Sequence, residues 1–521
     1  MPTSQAAIRK YLLEQPTAPV AQRLFRGAGS RALRDSILAS GGHELLTKTD
    51  PYQHQLEGLA FALWAKRGLL FYEMRTGKTK LSLDWLSYLI YSGQLTKKAL
   101  IIAHAPVGVD VWEHEAALHS YLDIAVVRSG SAATDQLVDA LASRCDAVLI
   151  SWSTLQTIFA VKQEGRKKVL YADRATLRAA AEFFDAAIVD EIHMAGHWDT
   201  LRFTMASELL ARCRWRLGLT GTPFGRDPLL LWGQVYLIDG GAALTRAFPF
   251  FREAFCTTRY NQFSRGQDYT FDQQKMPLLR EKLQGLTLHC ALADVQDVNV
   301  LKGIVRLSMS AEQARAYDEA VDRLVELRTG QAVEIDATFV RLRQIASGFL
   351  PFDDTAGERR VVDFPDASKL AWLDDFLDNL PDLQVVVMHD FIHSGDRICK
   401  LLEKHKIKYD WLRGGTPNRP QILERFRNCE TRVLVTNVAT GGMSIDLAIC
   451  DYLLFFEAPP SAIIRKQAEA RPLARGSRPL VMDDLVCSPI ELKILDFHAT
   501  GEDLRSALLR DPKKFTEELR R

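Results

Sequence analysis

Short, continuous apolar runs recur along the first half of the chain, and stretches with helical spacing separate them. The runs are Gly68–Tyr72, Ala99–Ala103, Ala147–Ile150, Ala186–Val189 and Arg216–Leu219. A run without polar alternation is typical of a strand buried on both faces of a parallel sheet. Between the first two runs, Lys78–Tyr91 carries its large apolar residues on one helical face. This alternation predicts a layered α/β domain.

The alternation returns near Ser368 and continues toward the end of the chain. A helical stretch, Lys369–Leu380, precedes the apolar runs Gln384–Met388, Arg432–Thr436, Tyr452–Phe456 and Leu480–Val486. The intervening residues mix aromatic and charged side chains at helical spacing. We therefore predict two α/β lobes with a mainly helical insertion between them. The predicted boundaries are 1–45 for an N-terminal lead-in, 46–239 for the first lobe, 240–365 for the insertion and 366–521 for the second lobe.

Composition excludes several classes of protein. The hydrophobic fraction of 47% and charged fraction of 25% are those of an ordinary globular protein. No run approaches the ~20 apolar residues that cross a bilayer, and Met1–Leu13 lacks the apolar core of a signal peptide. We expect a cytoplasmic protein without a membrane partner. The net charge of +1 means that any nucleic-acid contact must come from local basic surfaces. The eight cysteines include no Cys-x-x-Cys pair, which favours buried free thiols over disulfides or zinc.

A loop between the first apolar run and the helical stretch has candidate phosphate-binding chemistry. Its sequence is Glu73-Met74-Arg75-Thr76-Gly77-Lys78-Thr79. Backbone N–H groups at a helix N-terminus bind anions, and Gly77 would let the backbone approach a phosphate closely. Lys78 would reach the β- and γ-phosphates, and the Thr79 hydroxyl would bind Mg²⁺. The full pattern has a glycine five places before Gly77, where this chain has Tyr72. The strand–loop–helix context therefore carries this prediction.

Two acidic residues follow the apolar run Ala186–Val189, in the sequence Asp190-Glu191-Ile192-His193. Ligands of such sheets bind at the carboxyl ends of the strands. Asp190 would hold Mg²⁺, directly or through water, and Glu191 would polarise the attacking water. The segment Leu219–Pro223 (Leu-Thr-Gly-Thr-Pro) follows another run, and its hydroxyls could bond a carboxylate and a phosphate. Taken alone, the acidic pair is equally compatible with a solvated turn, and Leu219–Pro223 is more typical of a simple turn with proline.

Together, these three segments resemble the motifs of superfamily-2 helicases, and more narrowly their sucrose-non-fermenting branch. That branch includes chromatin remodellers and many bacterial and phage translocases. The resemblance spans residues 50 to 500 and implies RecA-like lobes. Further segments that resemble the branch, in the family's order, are Pro51–Gly58, Leu100–Pro106 with Trp112 and Glu115, Ser151–Leu155, Gly414–Pro417, Thr440–Leu447 and Gln467–Arg471.

The resemblance implies roles for further residues. It implies that Gln55 reads the adenine, that Gly442 and Asp446 line the nucleotide, and that Arg471 and Arg475 are arginine fingers, with Arg478 an alternative to Arg475. The implied nucleic-acid contacts are Pro106, Ser151, Thr154, Thr416 and Thr440.

This chain departs from the family pattern at several positions. Arg75 replaces a glycine of the phosphate loop, Asp446 stands where asparagine is usual, and Phe224-Gly225 replaces the usual Leu-Gln-Asn type. Arg471 and Arg475 are four residues apart rather than three. Because Pro472 is tolerated only in a first helical turn, we expect Arg471 to lie just before a helix.

These features predict an ATP-dependent nucleic-acid motor that uses ATP and Mg²⁺ in a cleft between the lobes. The resemblance favours a monomeric translocase on duplex DNA. We expect no sequence preference, because phosphate contacts carry no sequence information. A helicase of the same superfamily acting on RNA or single-stranded DNA is an open alternative. Arg75 and the altered arginine spacing also leave open a weakly active ATP-binding scaffold.

Overall fold

The computed structural model describes most of the chain from Thr47 onward. The described residues are 47–104, 106–163, 169–223, 229–261, 266–295, 299–326, 332–353, 358–379, 383–416, 418–438, 447–473, 479–500, 508 and 512–520. The chain divides into two compact units. The first unit runs to Tyr260 and resumes over Gln267–Val295, and the second comprises Asn261–Gly266 and the chain from Gln296 onward.

The first unit is built on a parallel sheet. Its strands are β1 (Arg67–Tyr72), β2 (Lys98–Ala103), β3 (Ile124–Val127), β4 (Ala147–Ser151), β5 (Ala160–Gln163), β6 (Val169–Ala172), β7 (Phe184–Val189), β8 (Trp215–Leu219), β9 (Cys256–Asn261), β10 (Gly266–Phe271) and β11 (Thr287–Cys290). Its helices are α1 (Gln53–Ala65), α2 (Lys78–Tyr91), α3 (Pro106–His119), α4 (Ala133–Ala142), α5 (Trp152–Phe159), α6 (Arg174–Ala181), α7 (Leu201–Leu210), α8 (Leu230–Asp239), α9 (Phe248–Phe255) and α10 (Met276–Leu283). Within the described residues, the main sheet has the order β11-β1-β8-β7-β2-β4-β3, with parallel neighbours throughout.

Alternate residues of the central strands enter different hydrophobic cores. In β1, Leu69 and Phe71 pack into one cluster of buried side chains, whereas Leu70 and Tyr72 pack into another. All four side chains are at most 5% exposed. Both faces of the sheet are therefore covered, as the continuous apolar runs predict.

The second unit is built on a second parallel sheet. The strands of this unit are β12 (Val300–Arg306), β13 (Phe349–Asp353), β14 (Arg359–Asp363), β15 (Val385–His389), β16 (Tyr409–Leu412), β17 (Val433–Asn437), β18 (Tyr452–Phe455) and β19 (Leu480–Val486). Strands β13 and β14 pair with each other, antiparallel, in a separate two-stranded sheet. Its helices are α11 (Ala311–Glu326), α12 (Ala332–Ala346), α13 (Ser368–Asp378), α14 (Ile392–Lys404), α15 (Arg419–Arg427), α16 (Ala462–Ala470), α17 (Pro489–Thr500) and α18 (Pro512–Glu518). The sheet order among these residues is β12-β19-β18-β15-β17-β16, again parallel throughout. The prediction of two α/β lobes with parallel sheets is confirmed.

A buried ion pair joins two helices of the second unit. The Lys369 ammonium, on α13, donates to the Glu491 carboxylate on α17 and to the Phe456 carbonyl at 2.7 Å. The other Glu491 oxygen accepts the Cys487 N–H at 3.0 Å. Lys369 is completely buried, so these bonds offset the cost of removing its charge from water.

Residues 240–365, expected to form a mainly helical insertion, are shared between the two units. Strand β11 pairs with β1 in the first sheet, and β12 pairs with β19 in the second. Both lie at sheet edges and are only partly buried, so they lack the continuous apolar run of a central strand. Helices α11 and α12 pack with α17 and α18 in the second unit.

No helix among the described residues is long and apolar enough to cross a bilayer.

Candidate active site

The three segments of the first unit that are predicted to bind nucleotide and metal lie at one edge of its sheet. Strand β8 lies between β1 and β7, and all three run parallel. The register aligns Leu70 with Leu219 and Val189 with Gly218. The phosphate loop, the acidic pair and the Thr-Gly-Thr segment therefore emerge side by side from the carboxyl ends of neighbouring strands.

The loop after β1 turns sharply into helix α2. Gly77, at the N-cap of α2, has a φ of +76°, and Arg75 has a φ of +63°. The left-handed region disfavours a residue with a side chain, so glycine would suit the backbone at Arg75 as well. The Thr76 hydroxyl donates to the Glu73 carbonyl at 2.7 Å. Lys78 Nζ donates to the Tyr72 carbonyl at 3.0 Å, which places its ammonium over the start of the loop.

The first turn of α1 holds this loop from one side. Gln55 Nε2 donates to the Gly77 carbonyl at 3.2 Å, and Gln55 Oε1 accepts the Tyr52 N–H at 2.8 Å. His54 Nε2 lies 2.7 Å from the Thr76 carbonyl. A Cβ at Gly77 would approach Gln55 Nε2 to 2.1 Å. Gln55, expected to read adenine, thus has its amide nitrogen bonded to the loop and its amide oxygen bonded to the N-cap residue of α1.

The two carboxylates after β7 have different surroundings. Asp190 Oδ1 accepts the Glu191 N–H at 3.0 Å, and Asp190 Oδ2 accepts the indole N–H of Trp112 at 3.0 Å. Glu191 is 8% exposed and has a φ of +46°. A non-glycine residue with positive φ is uncommon and is often found where a side chain must be aimed at a ligand.

Burial is the largest influence on both carboxyl groups. It raises the pKa of Asp190, and the neighbouring Glu191 charge raises it further. For Glu191 the Lys78 ammonium and His193 outweigh burial and lower the pKa to about 2. Glu191 is therefore the firmly ionised member of the pair. A cation bound beside Asp190 would stabilise the ionised form of that carboxyl group more than it would that of Glu191.

A histidine links the acidic pair to the segment after β8. His193 Nδ1 lies 3.2 Å from Glu191 Oε2 and 3.0 Å from the Thr220 hydroxyl. The imidazole is close to Glu191 Oε2 but is not aligned for a hydrogen bond with it. Thr220 Oγ1 also accepts the Thr222 N–H at 3.1 Å. A Cβ at Gly221 would lie 3.6 Å from Lys78 Nζ, so the Thr-Gly-Thr segment borders the phosphate loop.

Three further predicted residues of the first unit lie at or after the ends of strands β2 and β4. Pro106 is the first residue of α3, and its side chain lies outside the described part of the chain. Ser151 caps α5 by accepting the Thr154 N–H at 3.1 Å. Ser151 and Thr154 are at most 1% exposed, and their hydroxyls lie 2.8 Å apart. Their hydroxyls therefore serve the first turn of α5 in this structure.

In the second unit, fewer of the predicted site residues lie within the described part of the chain. Thr416 closes a turn after β16, where its hydroxyl accepts the Arg413 N–H at 2.9 Å. Arg471 follows the last residue of α16, and its N–H donates to the Ala468 carbonyl at 3.2 Å. We expected it ahead of a helix, but it ends one, because the residue before a proline disfavours a continuing helix. The remaining predicted residues, Arg475, Arg478, Thr440, Gly442 and Asp446, lie outside the described residues.

Trp112 is the residue whose role the sequence does not indicate. In the sequence it belongs only to a segment that resembles a nucleic-acid contact. The structure instead buries it and bonds it to Asp190. That pairing joins residues 78 positions apart, so spacing along the chain carries no signal for it.

Comparison with known protein families identifies the class of protein. The model of the SNF2-related domain matches residues 54–348, more than half of the chain, and the model of the helicase conserved C-terminal domain matches residues 368–475. The chain therefore belongs to the SNF2-related family and is an ATPase of the superfamily-2 helicase-like type. The predicted resemblance and enzyme class are confirmed.

Individual relatives are more distant. The putative protein p41 of Acyrthosiphon pisum secondary endosymbiont phage 1 is 25% identical over 427 residues, which cover 78% of this chain and 84% of p41. The Sulfolobus solfataricus SWI2/SNF2 ATPase core in complex with dsDNA shares 18% identity at a TM-score of 0.38, covering 89% of this chain and 96% of that one. The SWI2/SNF2 ATPase core domain of the same organism gives 18% and 0.36, with 90% and 94% covered. These two superpositions are too loose to add to the assignment, which rests on the family models.

Proposed function

We propose that this chain is an ATP-driven motor that translocates along duplex DNA without sequence preference. One observation carries the proposal. Lys78, Glu191 and Thr220 meet at the carboxyl ends of neighbouring parallel strands, in a chain that matches both SNF2-related and helicase C-terminal domains. The complex of the Sulfolobus solfataricus core with dsDNA suggests duplex DNA as the first partner to test.

The donors at this edge of the sheet fit a magnesium ion. The Thr79 hydroxyl and the Asp190 carboxylate are hard oxygen ligands of the kind that Mg²⁺ prefers. Among the described residues, no group of three or more His, Cys, Asp or Glu side chains could hold a metal. The ion would therefore take its remaining ligands from water and the nucleotide phosphates, as Mg²⁺ does in ATPase sites. When bound, it would neutralise charge on the β- and γ-phosphates.

The residues of the chain would then perform separate tasks. Lys78 exchanges the Tyr72 carbonyl for the phosphates of ATP, while the N–H groups at the start of α2 bind the same anion. Glu191 orients the attacking water, and its buried, ionised carboxylate suits that role. His193 lies against this carboxylate and bonds Thr220, and so connects Glu191 to the segment beside Lys78.

The second lobe would complete the site in the catalytic state. We propose that Arg471, with Arg475, stabilises the charge of the transferring phosphoryl group, as arginine fingers do. We further propose that Thr416 and Thr440 bind the nucleic-acid backbone together with Pro106 and the first turn of α5 in the first lobe, which the buried Ser151 and Thr154 hydroxyls order. A site that is complete only when the lobes close couples hydrolysis to lobe motion.

The test is the ATPase rate of the full chain with duplex DNA, single-stranded DNA and RNA, each at two salt concentrations. We expect duplex DNA to stimulate most, and the stimulation to fall as salt rises because phosphate contacts release counterions. Lys78→Ala should abolish the stimulated rate. Equal or greater stimulation by RNA or single strands would support a helicase instead. A rate that no nucleic acid raises would support an ATP-binding scaffold.

A further inference from the structure

Helix α3 carries a tryptophan that reaches the candidate metal carboxylate. Trp112 lies in the middle of α3 and is 1% exposed. Its ring packs in the same buried hydrophobic cluster as Ala103 and Val109. From this apolar setting the indole N–H donates to Asp190 Oδ2 at 3.0 Å. An indole can only donate, so this bond requires an acceptor at that position.

Among the described residues, the bond with Trp112 is one of two hydrogen bonds to the Asp190 carboxylate oxygens. Asp190 Oδ1 accepts the Glu191 N–H at 3.0 Å, and the Asp190 backbone N–H donates to the Ile102 carbonyl at 2.9 Å. The two oxygens are therefore held by donors on different elements. Each keeps a second lone pair for another partner. The orientation of those lone pairs depends on where α3 holds the indole.

Other contacts fix α3 to neighbouring strand ends. The Arg128 guanidinium, just after β3, donates to Asp110 at 2.6 Å and to Glu113 at 2.5 Å, both on α3. The next residue, Ser129, bonds the Thr154 hydroxyl at 2.8 Å. Thus α3 is tied both to Asp190 and to the strand ends that carry the proposed nucleic-acid residues.

We propose that Trp112 is a positioning residue that sets the orientation of Asp190 for the nucleotide-bound metal ion. The inference rests on the proposed function, because it takes Asp190 as a metal ligand. Partners that orient a metal ligand typically contribute about 10-fold or more to metal affinity. Trp112 would do so through a single N–H from within a hydrophobic core.

The same core contains a matched control. Trp85, on α2, is completely buried in the same hydrophobic cluster as Trp112. Its indole nitrogen has no hydrogen-bond partner among the described residues. Trp85→Phe and Trp112→Phe therefore make the same change of side chain in the same core. Only Trp112→Phe removes a bond to a carboxylate.

The test measures metal binding rather than turnover. Mn²⁺, a paramagnetic substitute for Mg²⁺, is titrated into the full chain saturated with ADP and followed by electron paramagnetic resonance. We expect Trp112→Phe to weaken Mn²⁺ binding about 10-fold, and Trp85→Phe to leave it within about 2-fold of wild type. ADP affinity measured in EDTA should be the same for all three proteins.

Three outcomes decide the inference. Equal Mn²⁺ affinity in Trp112→Phe and wild type would overturn it. Equal weakening in both tryptophan variants would also overturn it, because loss of packing would then explain the effect. Lys78→Ala tests the underlying function separately. If Lys78→Ala binds ADP and Mn²⁺ as well as wild type does, the nucleotide site itself is misplaced. If Lys78→Ala fails to bind them while Trp112→Phe binds Mn²⁺ normally, only the role of the tryptophan is refuted.

Discussion

Replacement of Gly77 by alanine tests how the phosphate loop is built. Gly77 and Gly240 have the same φ of +76°, but their surroundings differ. A Cβ at Gly77 would meet Gln55 Nε2 at 2.1 Å, whereas a Cβ at Gly240 would have no atom of the described residues within 4 Å. The pair of variants therefore separates backbone strain from the clash with Gln55.

The expected magnitudes follow from these contacts. A left-handed conformation costs alanine about 1–2 kcal/mol, and both variants bear this cost. In Gly77→Ala the Gln55 amide must also move, which endangers its bonds to the Gly77 carbonyl and the Tyr52 N–H. Those bonds contribute about 1 kcal/mol each, and leaving a buried partner unpaired costs about 1–3 kcal/mol. We expect Gly77→Ala to be less stable than Gly240→Ala by about 1–3 kcal/mol.

Thermal unfolding and nucleotide binding measure this difference. A change of 1 kcal/mol shifts Tm by about 2–4 °C in a domain of this size. Gly77→Ala should therefore melt about 2–12 °C below Gly240→Ala. It should also bind a fluorescent ATP analogue more weakly, whereas Gly240→Ala should bind as wild type does. Equal Tm and equal nucleotide affinity in the two variants would refute the packing of Gln55 against the loop.

Three further predictions concern catalysis, stability and pH. His193→Ala should lower kcat for ATP at least about 10-fold with little change in nucleotide affinity, because it releases Glu191 from the segment beside Lys78; a loss of ATP binding instead would contradict this role. Lys369→Met should destabilise the second unit in urea by about 3–5 kcal/mol, because it leaves Glu491 buried and unpaired, and adding Glu491→Gln should restore part of the loss; equal stability of the single and double variants would refute it. For Glu469 burial is outweighed by Arg465 and Lys302, so its pKa is lowered from 4.5; its stabilising effect is present above that value and is lost as pH falls toward the folded pKa. Glu469→Gln should therefore flatten the loss of stability below about pH 4.5, and unfolding curves as steeply pH-dependent as those of wild type would count against it.

The sequence predicts the central strands well because their burial dictates their composition. Strands β1, β2, β4, β7 and β8 coincide with the continuous apolar runs, since both their faces are covered. The apolar runs do not predict strands β11 and β12. An edge strand such as Val300–Arg306 is half-buried or exposed at every position and contains Lys302 and Gly303. The stretch 240–365 therefore resembles a helical insertion in sequence, although its strands complete the two sheets.

In the site, too, local sequence patterns predict which residues take part but not the long-range contacts that hold them. Lys78, Asp190 and Thr220 each follow an apolar run, so the rule that ligands bind at carboxyl strand ends is enough to predict that they meet. The contacts that hold them are between distant residues. Gln55 binds the loop 22 positions away, and Trp112 binds Asp190 across 78 positions. Such pairs depend on how helices pack on the sheet, which hydrophobic spacing alone does not encode.

The most direct test of the motor function is displacement of a DNA third strand from a triple helix by the full chain. A translocase entering on the duplex side removes the third strand as it passes, without separating the duplex. We predict displacement with ATP and Mg²⁺, none with a non-hydrolysable ATP analogue, and none with Glu191→Gln, which should still bind ATP. Vigorous DNA-stimulated hydrolysis without displacement, or displacement by Glu191→Gln, would contradict the proposal that this site drives movement along duplex DNA.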